Sequence, residues 1–271
     1  MPELPEVETT RLGIAPLLIG QSITELICRN PKLRWPVPDD LAACLTGQRC
    51  QAINRRAKYL LAEFGHGTLL IHLGMSGSLR WLERPEPPKK HDHIDLLCAN
   101  GGLLRYHDPR RFGAWLWLEP PVAEHALLAH LGPEPLTPEF SGDYLYQHAQ
   151  HRRIAVKTLI MDARCVVGVG NIYANEALFL AGIRPDRAAN RISRQRYQTL
   201  AAAIKTVLDN AIRQGGTTLR DFVNSQGKPG YFQQQLAVYG RKNQPCRQCG
   251  QPLMEQRLAN RSSVFCPLCQ R

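Results

Sequence analysis

The sequence predicts an α+β protein of two domains, because the apolar pattern changes along its 271 residues. One helical segment opens the chain, and short apolar segments separated by glycine-rich turns follow over residues 21–118. Many short strands at such spacing indicate a β-sandwich or barrel. Beyond a proline-rich stretch the apolar period becomes helical, and the chain ends in two Cys-x-x-Cys pairs.

The leading helix is predicted from Pro5 to about Leu18, where apolar residues recur near a 3.6-residue period and Gly20 ends the pattern. Behind it, glycine or polar turns delimit the strands, and a short helix is predicted near Asp39–Leu45. The predicted strands are Ser22–Cys28, Tyr59–Phe64, Thr68–Leu73, Ser78–Leu82, Ile94–Cys98, Leu103–His107 and Ala114–Leu118.

The proline-rich stretch occupies residues 119–150, and its segment Gly132-Pro133-Glu134-Pro135 has the composition of a linker. We therefore place the domain boundary between residues 132 and 133. Three helices are predicted behind it, at His148–Met161, Asn171–Ala181 and Ser193–Gln214. The last of these has Ser193 as its N-cap and ends at two glycines.

Positive charge is concentrated in the second half of the chain. Of a net charge of +11, residues 1–150 hold 15 Lys+Arg and 17 Asp+Glu, whereas residues 151–271 hold 19 and 6. A basic half usually faces a polyanion, and nucleic acid is the leading candidate; a membrane surface and a merely soluble basic protein are the alternatives. No apolar run reaches the roughly 18–20 residues that span a bilayer, and no signal peptide opens the chain, so we expect a cytoplasmic protein.

The strongest local motif is formed by four cysteines near the end of the chain. Cys246 and Cys249 form one Cys-x-x-Cys pair, Cys266 and Cys269 form the other, and 16 residues separate the pairs. Two such pairs on a β-hairpin offer four thiolates to one tetrahedral Zn²⁺. A redox dithiol would be a single pair near a βαβ pattern, which is absent. Because a closed site of four thiolates leaves no position for substrate, we predict one structural zinc ion.

The first nine residues combine two prolines with three carboxylates. If Met1 is removed, Pro2 becomes a secondary amine beside Glu3, with Glu6 three residues further on. An α-amino group has a pKa of about 7.7–8.0, so a useful fraction is neutral at pH 7 and can form a Schiff base. Glu3 adjoins the amine and is the preferred proton donor, whereas Glu6 is expected to position the terminus or a sugar. The plainer interpretation is a helix start with acids that suit the helix dipole.

Two loops between predicted strands present large apolar side chains. The turn Asp108-Pro109-Arg110-Arg111-Phe112-Gly113 joins a basic tip to an aromatic ring, and Met75 lies in a loop bounded by Gly74 and Gly77. Proteins that take a base out of a duplex need side chains that fill the gap. Alternatively, Phe112 begins a core strand and Met75 covers the edge of the sandwich.

Several basic residues allow two interpretations. Lys58, in the run Arg55-Arg56-Ala57-Lys58-Tyr59, belongs to a solvated edge or contacts a phosphate or moves a proton. His91-Asp92-His93 lacks the further spacing of a metal site, so we prefer a phosphate or sugar contact for His91. His72 is expected to be a satisfied strand-end histidine, with a backbone contact as the alternative.

Glycines also mark two candidate nucleic-acid elements. Gly168-Val169-Gly170 precedes a helix start, where backbone amides can approach a phosphate, although a tight interhelical turn explains it equally well. The loop from Gly215 to Tyr231 is a plain connection or a lid over an extruded base. The cations expected to favour the nucleic-acid interpretation are Arg152, Arg153, Lys157 and Arg164. Between the cysteine pairs, Arg257 and Arg261 are solvated hairpin arginines, or one of them contacts a phosphate or a sugar.

Taken jointly, these motifs resemble the bacterial formamidopyrimidine-DNA glycosylases, which excise oxidised purines such as 8-oxoguanine. The resemblance runs from the Pro-Glu-Leu-Pro-Glu-Val-Glu-Thr start to the four-cysteine tail, and the motifs are specific in combination. The intervening segments that carry it are Arg55–Tyr59, His72–Gly77, Lys90–His93, Asp108–Gly113 and Val169–Ala174.

The resemblance implies an N-terminal β-sandwich, a helix–two-turn–helix domain and a zinc hairpin, with DNA bound between the halves. We accordingly expect a catalytic β-sandwich domain with a leading helix at 2–132, a helix–two-turn–helix domain with a base lid at 133–236, and a zinc-finger hairpin at 237–271. The expected partner is double-stranded DNA that contains a damaged base, and the protein is expected to be a monomer without a membrane association.

The same resemblance implies individual roles. Pro2 is the expected nucleophile at the sugar C1′ and Glu3 the proton donor, while Lys58 takes part in β-elimination and Arg261 in δ-elimination. The implied gap-filling residues are Met75, Arg110 and Phe112, the implied DNA contacts are His72, His91, Arg153, Asn171, Tyr239 and Arg261, and the implied lid is Thr217–Gln226.

Two other functions remain as alternatives. An endonuclease VIII-like enzyme would share the architecture but excise oxidised pyrimidines; that family has a similar but different start and lacks the Arg-Arg-Phe turn in this form. A non-enzymatic zinc-ribbon DNA-binding protein would need only the basic half and the zinc, and would leave the acid-rich start and Lys58 unexplained.

Overall fold

A computed structural model of the chain describes residues 2–216 and 236–271. These residues form two compact units. Residues up to Ala129, together with 214–216, form the first unit, and His130–Arg213 with 236–271 form the second. Within the described ranges, no helix is both long enough and apolar enough to cross a bilayer.

Among its described residues, the first unit contains two α-helices, eight strands and one short 3₁₀ helix at Val122–Glu124. In chain order, the α-helices and strands are α1 (Leu4–Leu18), β1 (Ile23–Cys28), α2 (Leu41–Leu45), β2 (Ala52–Arg56), β3 (Tyr59–Glu63), β4 (Thr68–His72), β5 (Ser78–Leu82), β6 (Asp92–Cys98), β7 (Leu103–His107) and β8 (Ala114–Leu118). All the predicted elements of this half are present, with ends shifted by one or two residues. Strand β2 is an addition, because its short basic sequence masked the apolar alternation.

The strands form two antiparallel four-stranded sheets, in the orders β1-β6-β7-β5 and β2-β3-β4-β8. Apolar side chains of both sheets belong to one buried cluster, which includes Leu96, Tyr106, Ile71 and Trp115. Helix α1 adds its buried stripe to that cluster and ends before Gly20, whose φ of +83° suits glycine. The predicted α+β class with a β-sandwich behind a leading helix is therefore confirmed.

The strand register places several loops at one end of this sandwich. His72 at the end of β4 lies opposite Tyr59 at the start of β3 and Ala114 at the start of β8. In the other sheet, His107 at the end of β7 lies opposite Ser78 and Asp92, the first residues of β5 and β6. The β2–β3, β4–β5 and β7–β8 connections and the start of β6 consequently share this end, which we call the loop end.

Among its described residues, the second unit contains four α-helices, a short 3₁₀ helix at Ala189–Arg191 and one hairpin. In chain order, the α-helices and strands are α3 (Gly142–Ala149), α4 (Val156–Met161), α5 (Asn171–Leu180), α6 (Arg194–Arg213), β9 (Met254–Leu258) and β10 (Arg261–Phe265). The buried residues of helix α6, from Tyr197 to Ala211, recur at helical spacing, and the helix packs against α3 and α5. Asn175 on α5 accepts a hydrogen bond from the Val264 N–H at 2.8 Å, which ties the hairpin to α5.

The prediction of one helix over His148–Met161 is wrong. The chain leaves the helix after Ala149 and re-enters one only at Val156. Between them the backbone pairs with a distant segment: the Ala189 N–H donates to the Ile154 carbonyl at 2.9 Å and the Val156 N–H to the Arg187 carbonyl at 2.8 Å. Those long-range hydrogen bonds replace the helical ones, a tertiary effect that local periodicity does not contain.

Candidate active site and nucleic-acid interface

The first turn of α1 fixes the residues that follow Met1. Pro2 is buried, and Glu3 and Glu6 are 2% and 0% exposed. The Glu3 N–H donates to the Glu6 carboxylate at 2.8 Å, so Glu6 holds the backbone next to Pro2. A capping carboxylate at this position satisfies an N–H group that the helix leaves open. The expectation that Glu6 positions the terminus agrees with this contact.

Contacts between α1 and β2 set the direction of that terminus. The Arg11 guanidinium donates to the Ile53 carbonyl at 3.2 Å, and Glu8 pairs with Arg55 at 2.9 Å. Helix and strand therefore run antiparallel, and the first turn of α1 extends beyond Arg55. Because a helix rises 1.5 Å per residue, Glu3 lies about 7.5 Å further along the axis than Glu8, on the side of the β2–β3 turn. That turn contains Lys58.

Glu8 is held as a carboxylate in this arrangement. Its partial burial by itself raises the pKa, but the hydrogen bonds and charges of Arg11 and Arg55 outweigh burial and bring the pKa below its usual value. Arg55 also donates to the Ala57 carbonyl at 2.9 Å. A continuous set of contacts thus links α1 to the two-residue turn that presents Lys58.

His72 lies beside this turn as a neutral imidazole. Its ring lies 5.1 Å from the ring of Tyr59, and its Nδ1 accepts the Gly74 N–H at 3.2 Å. Burial, followed by the charges of Lys58 and Arg34, lowers the pKa of His72 to about 4. With Nδ1 used as an acceptor, the proton of the neutral ring is on Nε2.

Asp108 organises both wedge loops, by which we mean residues 73–77 and 108–113. The side chain is fully buried, and one oxygen accepts the Ser76 hydroxyl at 2.9 Å and the Arg110 N–H at 3.3 Å. The other oxygen accepts the Tyr106 hydroxyl at 2.9 Å and the Gly113 N–H at 3.0 Å. Four donors on one carboxylate fix the two loops relative to each other. The motif containing Asp108 was recognised in the sequence, but this role was not.

The wedge residues themselves remain accessible. Phe112 is 40% exposed, and the Arg110 guanidinium lies over its ring at 4.8 Å. Gly74, with φ +65°, packs directly against the Phe112 backbone, and a Cβ there would collide with it. The sequence placed Met75 and Phe112 in two separate loops; the structure brings these loops together in one feature.

His91 is positioned from the same end. The Asp108 N–H donates to the His91 carbonyl at 3.0 Å, and the His91 ring meets the rings of His93 and His107 edge-on at 6.1 and 5.9 Å. Asp92 accepts a hydrogen bond from the Lys89 N–H and pairs with His107, which holds the segment that precedes His91. Within the described ranges, no group of three or more potential metal ligands includes a histidine.

In the second unit, Asn171 is the first residue of α5, behind a glycine N-cap. Its side-chain oxygen is buried without a hydrogen-bond donor among the described residues, and Arg153 is exposed. Lys157 does not serve as the surface cation that the sequence suggested. It is 1% exposed and donates to the Ser262 carbonyl at 2.6 Å and to the Ser263 hydroxyl at 2.7 Å, so it holds β10.

The backbone around Tyr239 is fixed by Glu176 on α5. The Glu176 carboxylate accepts the N–H groups of Ala237, Val238 and Tyr239 at 2.7, 2.9 and 2.8 Å. Burial raises the pKa of Glu176, and these three hydrogen bonds oppose the rise. Glu176 was not identified from the sequence, because no local motif relates residues more than 60 positions apart.

The hairpin tip presents Arg261 to solvent. Ala259 and Asn260 both adopt positive φ, at 47° and 61°, which is the geometry of a two-residue hairpin turn. Arg261 follows them at the start of β10. The Thr217–Gln226 lid lies outside the described residues.

The four predicted metal ligands come together. The sulfur atoms of Cys246, Cys249, Cys266 and Cys269 all lie within 4.8 Å of one another, with Cys249 and Cys266 at 3.5 Å and Cys246 and Cys269 at 3.9 Å. A tetrahedral Zn²⁺ with bonds of about 2.3 Å requires sulfur–sulfur separations of about 3.8 Å. The donor set therefore fits one structural zinc ion.

Comparison with protein families agrees with this architecture. The model of the formamidopyrimidine-DNA glycosylase N-terminal domain matches residues 1–115, that of the corresponding H2TH domain residues 131–223, and that of the zinc finger found in FPG and IleRS residues 243–271. Fold and site thus define a zinc-finger DNA glycosylase of the helix–two-turn–helix class. The chain belongs to the formamidopyrimidine-DNA glycosylase family.

Individual relatives match over the full length. The formamidopyrimidine-DNA glycosylases of Syntrophotalea carbinolica and Hahella chejuensis are 57% and 58% identical over 271 residues, which cover 100% of each chain. The crystal structure of the Thermus thermophilus Fpg protein matches with a TM-score of 0.89 and 38% identity, over 99% of this chain and 98% of that one. Lactococcus lactis Fpg in complex with N7-benzyl-Fapy-dG DNA matches with a TM-score of 0.92 and 34% identity, over 100% of both chains.

Proposed function

We propose that the protein is a base-excision repair enzyme that removes 8-oxoguanine and formamidopyrimidines from duplex DNA and then cleaves the abasic site. Once Met1 has been removed, the Pro2 nitrogen bonds to the sugar C1′ as the bond to the base breaks. The sugar ring then opens as the C1′–O4′ bond breaks and O4′ takes a proton, which leaves a Schiff base between Pro2 and C1′. This Schiff base activates the sugar for β- and δ-elimination. The Lactococcus lactis relatives, which were solved with Fapy-dG and abasic-site DNA, support this substrate class.

The observation that carries the proposal is the direction of α1. Its antiparallel contacts with β2 extend the Pro2–Glu3 end towards the turn that presents Lys58. An amine, a carboxyl group and a lysine are the groups that Schiff-base formation and elimination require. Glu3 acts as the proton donor, Glu6 holds the backbone, and Lys58 takes part in β-elimination. Arg261 is assigned to δ-elimination from the hairpin tip.

DNA recognition is assigned to both units. In the first, Met75, Arg110 and Phe112 fill the gap left by the extruded base, because Asp108 holds their two loops together. Extrusion costs a few kcal/mol of stacking and pairing, which such wedges offset. The remaining contacts are assigned to His72, His91, Arg153, Asn171 and Tyr239, which are expected to bind the DNA backbone.

We further propose the domain limits 2–132, 133–236 and 237–271, a monomeric state and a cytoplasmic, nucleoid-associated location. The zinc ion is structural and takes no part in the reaction, because four thiolates fill its coordination sphere. Double-stranded DNA with a damaged base is the binding partner, in keeping with the charge of the second half of the chain.

Borohydride trapping tests the proposal. The parental protein should form a covalent adduct with an 8-oxoguanine:C duplex, whereas Pro2→Gly and Glu3→Gln should lose most of the adduct and of strand cleavage. The matched control is Glu25→Gln, which removes one exposed carboxylate of β1 and should behave like the parent. Cleavage by Pro2→Gly at the parental rate would refute the assigned nucleophile. A preference of the parent for a thymine-glycol duplex would refute the assigned substrate.

A further inference from the structure

Four cationic side chains and one phenyl ring line a cavity of about 490 Å³ at the loop end of the sandwich. Arg110, Arg111 and Phe112 belong to a wedge loop already described. Lys32 and Arg34 come from the segment that follows β1 and have no role so far. We call this feature the basic cavity. Its volume is within the range of pockets that hold ligands of nucleotide size.

The segment that carries Lys32 and Arg34 has a fixed backbone. The Arg29 guanidinium pairs with the buried Asp95 at 2.6 Å, and the Val37 N–H donates to the Pro31 carbonyl at 2.9 Å. Leu33 and Val37 are buried in the sandwich core. Because Leu33 points inward, the residues on either side of it are exposed. The two cations are thus presented by an anchored strip of chain and not by a free loop.

The cations of the basic cavity have no carboxylate partner within residues 2–216 and 236–271. Arg34 lies over the Trp35 ring at 4.8 Å, in the same way that Arg110 lies over Phe112. The positive charge of Arg34 also acts on His72: burial, the charge of Lys58 and the charge of Arg34 together lower the pKa of His72. Four like charges in so small a space repel one another, and a polyanion relieves that repulsion.

We propose that Lys32 and Arg34 bind phosphates of the DNA backbone beside the base step that Phe112 opens. The inference rests on the proposed function, since it takes duplex DNA as the ligand. Each cation neutralises one phosphodiester, while Phe112 in the same cavity faces the separated bases. Phosphate contacts of this kind fix the position of the duplex without reading its sequence. Lys32 and Arg34 consequently fix the DNA backbone while Phe112 separates the neighbouring bases.

The salt dependence of binding tests this assignment. The probe is a duplex that contains a tetrahydrofuran abasic-site analogue opposite cytosine. The plot of log Kobs against log salt concentration has a negative slope, and each phosphate contact contributes about −0.9 to it. Lys32→Gln and Arg34→Gln should therefore each make the slope shallower by about 0.9. Arg34→Lys keeps the charge and should keep the slope. Arg84→Gln, an exposed arginine beyond the far end of β5, is the matched control and should bind like the parent.

Neutral methylphosphonates placed singly along both strands identify the phosphates. At the contacted positions, a methylphosphonate should weaken DNA binding by the parental protein but not by the Lys32→Gln, Arg34→Gln double variant. Parental slopes in both single variants, or an equal loss in Arg84→Gln, would overturn the inference. The proposed function fails by a separate result, namely a parental protein that binds the abasic-analogue duplex no better than undamaged DNA.

Discussion

The loop end of the sandwich and the α5 helix of the second unit both rely on a buried carboxylate, but they use it differently. Asp108 collects two hydroxyls and two N–H groups from three segments, so it fixes loops to one another. Glu176 collects three consecutive N–H groups from one segment, so it fixes a single stretch of backbone to a helix. The first arrangement sets the relative position of side chains, and the second sets the path of a chain. Their removal should therefore have different consequences.

Loss of the metal should have the largest effect, and this effect should be confined to the second unit. Zinc binding contributes about 10–16 kcal/mol in zinc-finger peptides, so chelation or Cys249→Ser should unfold the hairpin of the second unit. The cluster of Phe179, Val238 and Val264 loses its cysteine members at the same time. Hydrogen exchange should report the loss in β9 and β10, and protection of the sandwich strands should stay at the parental level.

Cys28→Ser is the matched control, because Cys28 is exposed and belongs to the sandwich. It should bind one zinc ion per chain and keep the hairpin. A zinc content of one in Cys249→Ser, or a sandwich that loses protection together with the hairpin, would contradict the division of roles.

Asp108→Asn should have the next largest effect. Asparagine has one acceptor oxygen in place of two, so it leaves some of the four donors unpaired at about 1–3 kcal/mol each. Urea unfolding should show that loss of stability. A fluorescent base analogue opposite the lesion should report weaker unstacking, because Met75 and Phe112 are no longer held together.

The control is Asp39→Asn, an exposed aspartate of the same unit, which should change the free energy of unfolding by less than about 0.5 kcal/mol. Parental unstacking by a folded Asp108→Asn protein would show that the wedge loops hold their positions without this carboxylate.

Asp108 and Glu176 also mark how far the sequence predicts this molecule. The sandwich strands other than β2, together with α1, α5, α6 and the zinc ligands, follow from local periodicity, caps and ligand spacing. The motif around Asp108 was visible because its members are adjacent. Glu176 and Lys157 were missed or misread, since their partners lie 61 to 106 positions away and only the folded chain brings them near. Long-range contacts also explain why the predicted helix over His148–Met161 is interrupted, since the backbone between its two halves bonds to residues 187 and 189.

Glu176→Gln should have a smaller, more local effect than Asp108→Asn. An amide retains one acceptor oxygen, which can keep the hydrogen bonds of Val238 and Tyr239 and leave that of Ala237 unmade. The expected cost is about 1–3 kcal/mol. Hydrogen exchange should increase at residues 237–239 while the loop end keeps its parental protection. If hydrogen exchange in the wedge loops increased as much as it does at residues 237–239, the Asp108 and Glu176 contacts would not be independent of each other.

The smallest expected effect is a pH dependence that involves His72. Its pKa of about 4 in the folded protein lies below the usual 6.5, so the unfolded chain binds the proton more readily. This residue therefore contributes stability that is fully present above pH 6.5 and is lost as the pH falls towards 4. NMR should find the His72 ring neutral throughout pH 6–8, with Nε2 carrying the proton. Asn replaces the Nδ1 acceptor without titrating, so His72→Asn should flatten the acid limb of the stability curve, and an unchanged limb would mean that other groups produce it.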